Sequence, residues 1–310
     1  MPEVNFAAPL ALPSGFVLPS RVMLSPMEGV MTPAFVRAAN MLKLNDLWLT
    51  PFISVTGSVP SPAVLRKRLE PFREAGIPLI VQIIGREPDP LAECAVSLER
   101  LGIRAVNLNL ACPSPTVTSH GAGGALLRTP DRVGEIVRAV RQALKPETSL
   151  SVKLRTGYDK PEIPLLLEAV EGAELVILHF RTVSENYRPV TGGLKRLAEA
   201  VRLSKIPVFG NGDIASPEDA LRMTEKTRCA GVALARMCLK NPGLPNQIRS
   251  GAEHAMNVHE MLNAMRNAGS PEGPLREFAR RALPPEEFRA FIRKIISPSY
   301  REVPENRSPQ

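Results

Sequence analysis

The sequence predicts an α/β fold, a (β/α)8 TIM barrel followed by a small C-terminal helical domain, and three observations carry that expectation. Eight short aliphatic or β-branched runs recur along the first part of the chain, helical patterns separate them, and the strand pattern stops after Asn241-Pro242. The runs are Val22 to Ser25, Asp46 to Thr50, Pro78 to Ile83, Ala105 to Asn109, Ser149 to Lys153, Leu175 to His179, Pro207 to Asn211 and Gly231 to Ala235. Each has the length of a strand, and near-continuous apolar character fits parallel strands covered on both faces. Helix-start residues lie between them, as in Thr129-Pro130-Asp131 and Ser216-Pro217-Glu218. Eight strand-helix units over about 220 residues match a barrel, with a doubly wound open sheet as the alternative. Most of the runs carry a polar or chemically capable residue at or next to their end: Ser25, Thr50, Gln82, Asn109, Lys153, His179 and Asn211. A barrel would gather these ends on one rim, where active sites are built, although turns also place polar residues at strand ends.

From about Leu244 to Ile296 the pattern is helical, interrupted by Gly269 to Pro274 and by Pro284-Pro285. Residues 1–243 are therefore expected to form the barrel and 244–310 a helical unit ending in a loose tail from Ser297. Arg276, Arg280, Arg281, Arg289, Arg293 and Lys294 sit in that unit beside Glu277, Glu286 and Glu287, which suits a solvated face or an RNA-contacting one equally.

Composition narrows the function classes. The chain has 310 residues, 44% hydrophobic and 23% charged, with no apolar run near the ~20 residues that span a bilayer. No membrane association is expected. With 39 Lys+Arg against 31 Asp+Glu the net charge is +8, which favours a polyanionic partner without proving one. Cys94, Cys112, Cys229 and Cys238 form no C-x-x-C pair and no zinc pattern with the four histidines, so no metal is expected. The opening segment lacks a basic start and is broken by prolines, which points to a cytoplasmic chain with reduced thiols.

The segment from Asn107 to Leu127 is the most informative. Cys112 follows a strand-end Asn109 and stands above the expected barrel mouth. A thiol with pKa about 8.5 is mostly protonated at neutral pH, so it suits a general acid or, with local help, a nucleophile. The other three cysteines read as small buried hydrophobes. His120 is a rival or assistant to Cys112. The run Gly121-Ala-Gly-Gly124 lacks the residues of a phosphate-cradling P-loop and is read as giving loop flexibility. Lys153 inside an apolar strand implies an anionic partner, because burying a lone ammonium is costly. Asn211-Gly212-Asp213 and Ala235-Arg236 close the last two strands, where barrels often hold phosphate. A phosphate-bearing ring that accepts negative charge, such as FMN, satisfies both observations.

These residues also carry a resemblance. Ser25-Pro-Met-Glu-Gly-Val30, Val81-Gln82, Asn109 with Cys112-Pro-Ser114 and the following Gly-Ala-Gly-Gly-Ala-Leu-Leu, Val152-Lys-Leu-Arg-Thr-Gly157, His179 with Arg181-Thr182, and Asn211-Gly-Asp-Ile214 occur in the order found in tRNA-dihydrouridine synthases. The sequence resembles that family, and most of all its bacterial C-type subfamily. The resemblance implies an FMN barrel with a helical tRNA-binding unit that reduces the C5–C6 bond of a tRNA uridine with NADPH, and a monomer is expected. The D-loop position 16 is that subfamily's usual target. Carried over, Pro26, Met27, Gln82, Lys153, His179, Asn211, Gly212, Asp213, Ala235 and Arg236 would hold the flavin. Cys112 would protonate C5, Asn109 would help place the uracil, and Arg155 and Arg181 would line the same pocket. The chain departs from the family at Ala111 and Phe180, where glycine is common, at Pro115, where lysine is common, and at Ala235-Arg236-Met237, where Gly-Arg-Gly is common. The alternatives are an FMN barrel acting on a small molecule, of the dihydroorotate-dehydrogenase or ene-reductase kind, and an RNA-binding paralogue without catalysis. Arg66, Lys67 and Arg68 are further candidate phosphate contacts.

Overall fold

A computed structural model describes residues 4–251 and 256–296. Ahead of the barrel lies a hairpin, β1 (Leu10–Ala11) and β2 (Val17–Leu18), whose turn uses Gly15 at a φ of 81°. The aliphatic runs then become β3 (Val22–Leu24), β4 (Trp48–Leu49), the short β5 (Ile53–Ser54), β6 (Leu79–Ile84), β7 (Ala105–Leu110), β8 (Ser149–Arg155), β9 (Leu175–His179), β10 (Val208–Asn211) and β11 (Gly231–Leu234). Every pairing among them is parallel, in the order β3-β11-β10-β9-β8-β7-β6-β4, with β5 set against the end of β6. The last strand, β11, pairs with the first barrel strand, β3, and β3 comes round against β4, which makes a nearly closed cylinder and not a doubly wound sheet, whose two edges stay apart. β3 and β4 lie side by side, and among the described residues no ladder bonds join them.

The helices of the barrel are α1 (Pro33–Met41), α2 (Pro62–Arg73), α3 (Pro88–Arg100), α4 (Pro115–Thr118), α5 (Pro130–Ala143), α6 (Ile163–Ala169), α7 (Gly193–Leu203), α8 (Pro217–Thr227) and α9 (Met237–Lys240), with a 3-10 turn at Gly123–Arg128. Thr32, Ser61 and Ser216 each accept a hydrogen bond from the third residue beyond them, and each is followed by proline at the first helical position. A hydroxyl cap plus a ring that fixes φ and needs no N–H partner sets these starts.

Two cores result, one on each face of the sheet. Outside the barrel, Val81, Ile83, Val106, Val152 and Val176 are buried with Leu91, Leu98, Val133, Val137 and Val140 of α3 and α5. Inside, Met23, Leu47, Leu49, Ile80, Ala105, Leu175, Ile177, Phe209 and Ala233 form a second cluster, closed from below by Leu12 and Leu18 of the hairpin. Burial on both faces is why the strands read as continuous apolar runs, each buried aliphatic side chain contributing about 1.5–3 kcal/mol. The floor is tied by Glu174, whose Oε2 accepts from the hydroxyls of Ser14 (2.7 Å) and Ser149 (2.8 Å).

After the barrel come α10 (Leu244–Ser250), α11 (Val258–Asn267), α12 (Glu272–Ala282) and α13 (Pro285–Ile296). Met261, Leu262, Met265, Leu275 and Phe278 join the outer core, with the Phe278 ring 5.9 Å from that of Phe35 on α1. Arg249 on α10 pairs with Asp46 at 2.8 Å, and Arg281 on α12 reaches the carbonyl of Glu28 just beyond β3. The tail expected from Ser297 lies outside the described residues. Among the described residues, no helix is long and apolar enough to cross a membrane.

Candidate active site

Parallel register and side-chain alternation bring the predicted strand ends together. Asn109 pairs with Lys153, Arg155 with His179, His179 with Asn211, and Asn211 with Ala233, so consecutive strands deliver these residues to one rim. Gln82, Asn109, His179, Asn211 and Arg155 are buried there, and Lys153 is half-buried.

The Cys112 turn is held by Asn109. Its Oδ1 accepts from the N–H groups of Ala111 (3.1 Å) and Cys112 (3.0 Å), and its Nδ2 donates to Gln82 Oε1 (2.7 Å). The Cys112 carbonyl in turn accepts from Gly124 N–H at 3.0 Å. The glycine-rich run is therefore tight packing, not the flexible loop its composition implies. A Cβ on Gly123, at φ 57°, would sit 2.8 Å from Val117 Cγ1 and 3.2 Å from Cys112 Cβ. One on Gly124 would sit 2.8 Å from Val183 Cγ2. Burial pushes the Cys112 thiol up, with Glu28 adding to the effect and a backbone hydrogen bond and Lys153 opposing it. The half-buried thiol thus keeps its proton at neutral pH. Cys94, Cys229 and Cys238 are buried, as expected of inert cysteines. His120 is exposed and its Nδ1 lies 2.7 Å from the Thr116 carbonyl, so its ring is engaged within its own loop.

Positive charge is concentrated at the mouth. Lys153 is pushed down to about 8, first by burial and then by Arg155. Among the described residues no carboxylate lies within ion-pair distance of it. His179 is held well below its usual range by burial and then by Arg155, Lys153, Arg181 and Arg236, so the imidazole is neutral. Its Nδ1 accepts from Arg181 N–H (3.2 Å), which leaves Nε2 carrying the proton. Carboxylates near these cations include Glu28, at the exposed edge, and Asp213, which Arg181 holds. The Ser25 hydroxyl, beside Pro26 and Met27, is buried and has no partner among the described residues. A cationic rim and an unsatisfied buried hydroxyl are the features of a site built for a polar anionic ligand.

The rim's far side is built by close approaches. Phe180 lies between two positions with no room for a Cβ, which would come within 2.6 Å of its ring at Gly212 and 2.5 Å at Gly193. A glycine in place of Phe180 would leave this space open. Arg181, 2% exposed, donates to both oxygens of Asp213 (3.0 and 2.5 Å) and to the Arg188 carbonyl (2.6 Å). Asp213, at φ 50°, is thereby fixed next to Gly212. Asn211 Nδ2 donates to the Ala233 carbonyl at 2.5 Å. Ala235 and Arg236 occupy the turn from β11 into α9, a place where backbone N–H groups are left for an anion.

Arg155 ties three loops together. Its Nε donates to Ala111 O (3.0 Å), and its Nη1 to Thr182 O (2.9 Å) and Asn186 O (2.8 Å). Beside it stands Tyr187, 48% exposed, with the guanidinium carbons of Arg236 and Arg155 at 4.2 and 5.4 Å from its ring centre. Sequence reasoning passed over Tyr187, and the available signal was a lone aromatic on a polar loop just after a site strand. A cleft of about 460 Å³ opens next to the rim, lined by Thr50, Phe52, Val64, Lys67, Arg68 and Phe72 among others. Of the seven predicted strand ends it includes Thr50, so this cleft lies beside the cationic cluster and not over it. On the C-terminal helices, Arg280 and Arg281 share Glu277, and Arg276 faces Glu272, so these arginines are partly neutralised within the chain.

Comparison with known proteins adds the following. Residues 23–282 match the family model described as Dihydrouridine synthase (Dus). A tRNA-dihydrouridine(16) synthase of Haemophilus influenzae is 34% identical over 244 residues, covering 75% of this chain and 78% of that protein. One of Shewanella oneidensis is 30% identical over 240 residues, covering 75% and 76%. Among solved structures, histamine dehydrogenase from Rhizobium sp. 4-9 superposes with a TM-score of 0.61 at 13% identity, over 85% of this chain and 51% of that one. TcOYE with pHBA gives 0.57 at 13% identity, over 80% and 93%. At such identities the structures speak for the barrel fold alone.

Proposed function

The chain belongs to the dihydrouridine synthase family, and from that premise we propose that it reduces the C5–C6 bond of a tRNA uridine with NADPH as electron source, using bound FMN. The reading includes position 16 of the D-loop as target, since the tRNA-dihydrouridine(16) synthases of H. influenzae and S. oneidensis carry that position in their names. The observation that carries it is the pairing of a protonated, half-buried Cys112 with the carboxylate-free Lys153 at one barrel mouth.

The residues fit FMN: among the described residues Lys153 has no counter-ion and Ser25 no hydrogen-bond partner, and the Gly212 and Ala235-Arg236 turns suit a phosphate. Pro26, Met27, Gln82, Lys153, His179, Asn211, Gly212, Asp213, Ala235 and Arg236 would hold it. When bound, FMN supplies the hydride to uracil C6. Cys112 Sγ gives its proton to C5, and Lys153 favours the thiolate left behind until solvent restores the proton. His179 offers Nε2–H as a donor. Asn109 acts by holding the Cys112 turn, with its remaining amide N–H available to a uracil carbonyl. Arg155 keeps the Ala111 and Asn186 loops together around the base, and Arg181 holds Asp213 against the phosphate turn. A base must leave its stack to reach this mouth, and exposed Tyr187 offers it a face. In this reading residues 1–243 bind flavin and 244–310 bind RNA.

The test uses the NADPH-reduced protein without oxygen. Unmodified tRNA is expected to reoxidise the flavin, whereas free uracil or uridine leaves it reduced. Turnover of the free pyrimidine at the rate of tRNA would refute the reading in favour of a small-molecule oxidoreductase.

A further inference from the structure

Below the mouth, a line of buried polar side chains descends into the barrel. Gln82 Oε1 accepts from Asn109 (2.7 Å), Gln82 Nε2 donates to Asn107 Oδ1 (2.8 Å), and Asn107 Nδ2 donates to Ser151 Oγ (2.9 Å). The Ser151 hydroxyl donates to the Val106 carbonyl at 3.3 Å. Asn107 is 0% and Ser151 2% exposed, so water cannot replace these bonds and each must find its partner inside the protein.

The line runs in one direction only, because both ends are backbone groups. At the top, the N–H groups of Ala111 and Cys112 can only donate, so Asn109 must turn Oδ1 toward them and Nδ2 toward Gln82. Gln82 must then turn its oxygen to Asn109 and its nitrogen to Asn107, and Asn107 must turn its nitrogen to Ser151. At the bottom, the Val106 carbonyl can only accept and takes the one hydroxyl proton of Ser151. Every amide orientation is thus set by the network itself. Reversing any one would bring two donors or two acceptors face to face. Gln82 is further pinned by its backbone N–H, which donates to Thr50 Oγ1 at 3.1 Å.

We infer that Asn107 and Ser151 are positioning residues, which fix the amide polarity of Gln82 and Asn109 and so hold the Cys112 turn from beneath. The remaining N–H of Gln82 and of Asn109 make them donors toward whatever carbonyl occupies the mouth. Without Ser151 the Asn107 Nδ2 loses its acceptor and the lower end of the line is unanchored, so Asn107 and Gln82 can shift and the support that holds Asn109 against Cys112 N–H loosens. The inference assigns supporting residues to the proposed reaction and rests on that reading only where activity is measured.

Hydrogen exchange on the full-length protein tests it without reference to turnover. In Ser151→Ala, the amides of Ala111 and Cys112 are expected to exchange about fivefold faster, the order of one net hydrogen bond, while those of Val208 to Asn211 in β10 keep their wild-type rates. Ser151→Thr, which retains the hydroxyl, is expected to restore the slow exchange. Asn107→Ala should match or exceed Ser151→Ala, and if it does not fold the serine pair carries the test. With tRNA, Ser151→Ala should lower kcat about fivefold and leave KM unchanged. Exchange at Ala111 and Cys112 within twofold of wild type would overturn the inference, as would acceleration spread equally into β10. A wild-type protein inactive on tRNA would refute the proposed function, and the exchange result would still decide this one.

Discussion

The two halves of the barrel interior differ in a way the backbone does not require. Among the buried inward positions the β6–β8 side includes Gln82, Asn107 and Ser151, whereas the β9–β11 side includes Ile177, Phe209 and Ala233. All six are at most 2% exposed and sit on parallel strands with regular pairing. The apolar half gains from burial alone, and Phe209 fills the space that Gly231 leaves open, where a Cβ would lie 2.6 Å from its ring. The polar half gains little net stability, because its bonds replace bonds to water, but it fixes orientation. One half supports the fold and the other orders the Cys112 turn.

Mutations on the two sides should therefore separate stability from chemistry. The largest effect is expected at Phe209→Ala, which should cost about 3–5 kcal/mol of unfolding free energy by denaturant titration, with the Cys112 turn unaltered in the molecules that remain folded. A loss below about 1 kcal/mol would mean that the apolar half is not what carries the interior.

The second prediction concerns Lys153, which closes the polar half at the mouth. Its pKa is about 8 in the folded chain and about 10.4 when unfolded. Between those values the unfolded chain holds more protons, so folding stability rises with pH. Cofactor-free wild type should gain in urea midpoint relative to Lys153→Met from about pH 8 to pH 10, and added FMN should flatten that gain by restoring the ammonium. Parallel curves for the two proteins would mean that the lysine is not desolvated. The smallest stability change is expected at Ser151→Ala, about 1 kcal/mol, which contrasts with its local effect on the Cys112 turn.

The outer half of this organisation was legible in the sequence and the inner half was not. Eight aliphatic runs marked the barrel strands because both faces are buried, and Cys112, Lys153 and His179 stood out as chemistry at strand ends. The hairpin that plugs the floor escaped notice, since two-residue strands leave no periodic signal. Asn107 and Ser151 lie within apolar runs, and that placement was itself a signal, because a buried polar group needs a partner. Which partner depends on register between strands, and a single sequence does not encode that in a readable way. The glycine-rich run misled for the same reason. Gly123 and Gly124 are small because Val117, Val183 and the Cys112 carbonyl approach them, and those neighbours appear only after folding.

The central claim is that Cys112 protonates a uracil base of tRNA at this mouth. The most direct test incubates unmodified tRNA with NADPH and either wild type or Cys112→Ala, then measures dihydrouridine at each position by mass spectrometry. Dihydrouridine is expected at a single D-loop site with wild type and about a hundredfold slower formation with Cys112→Ala, the scale of losing a general acid. Equal dihydrouridine from both proteins would contradict it.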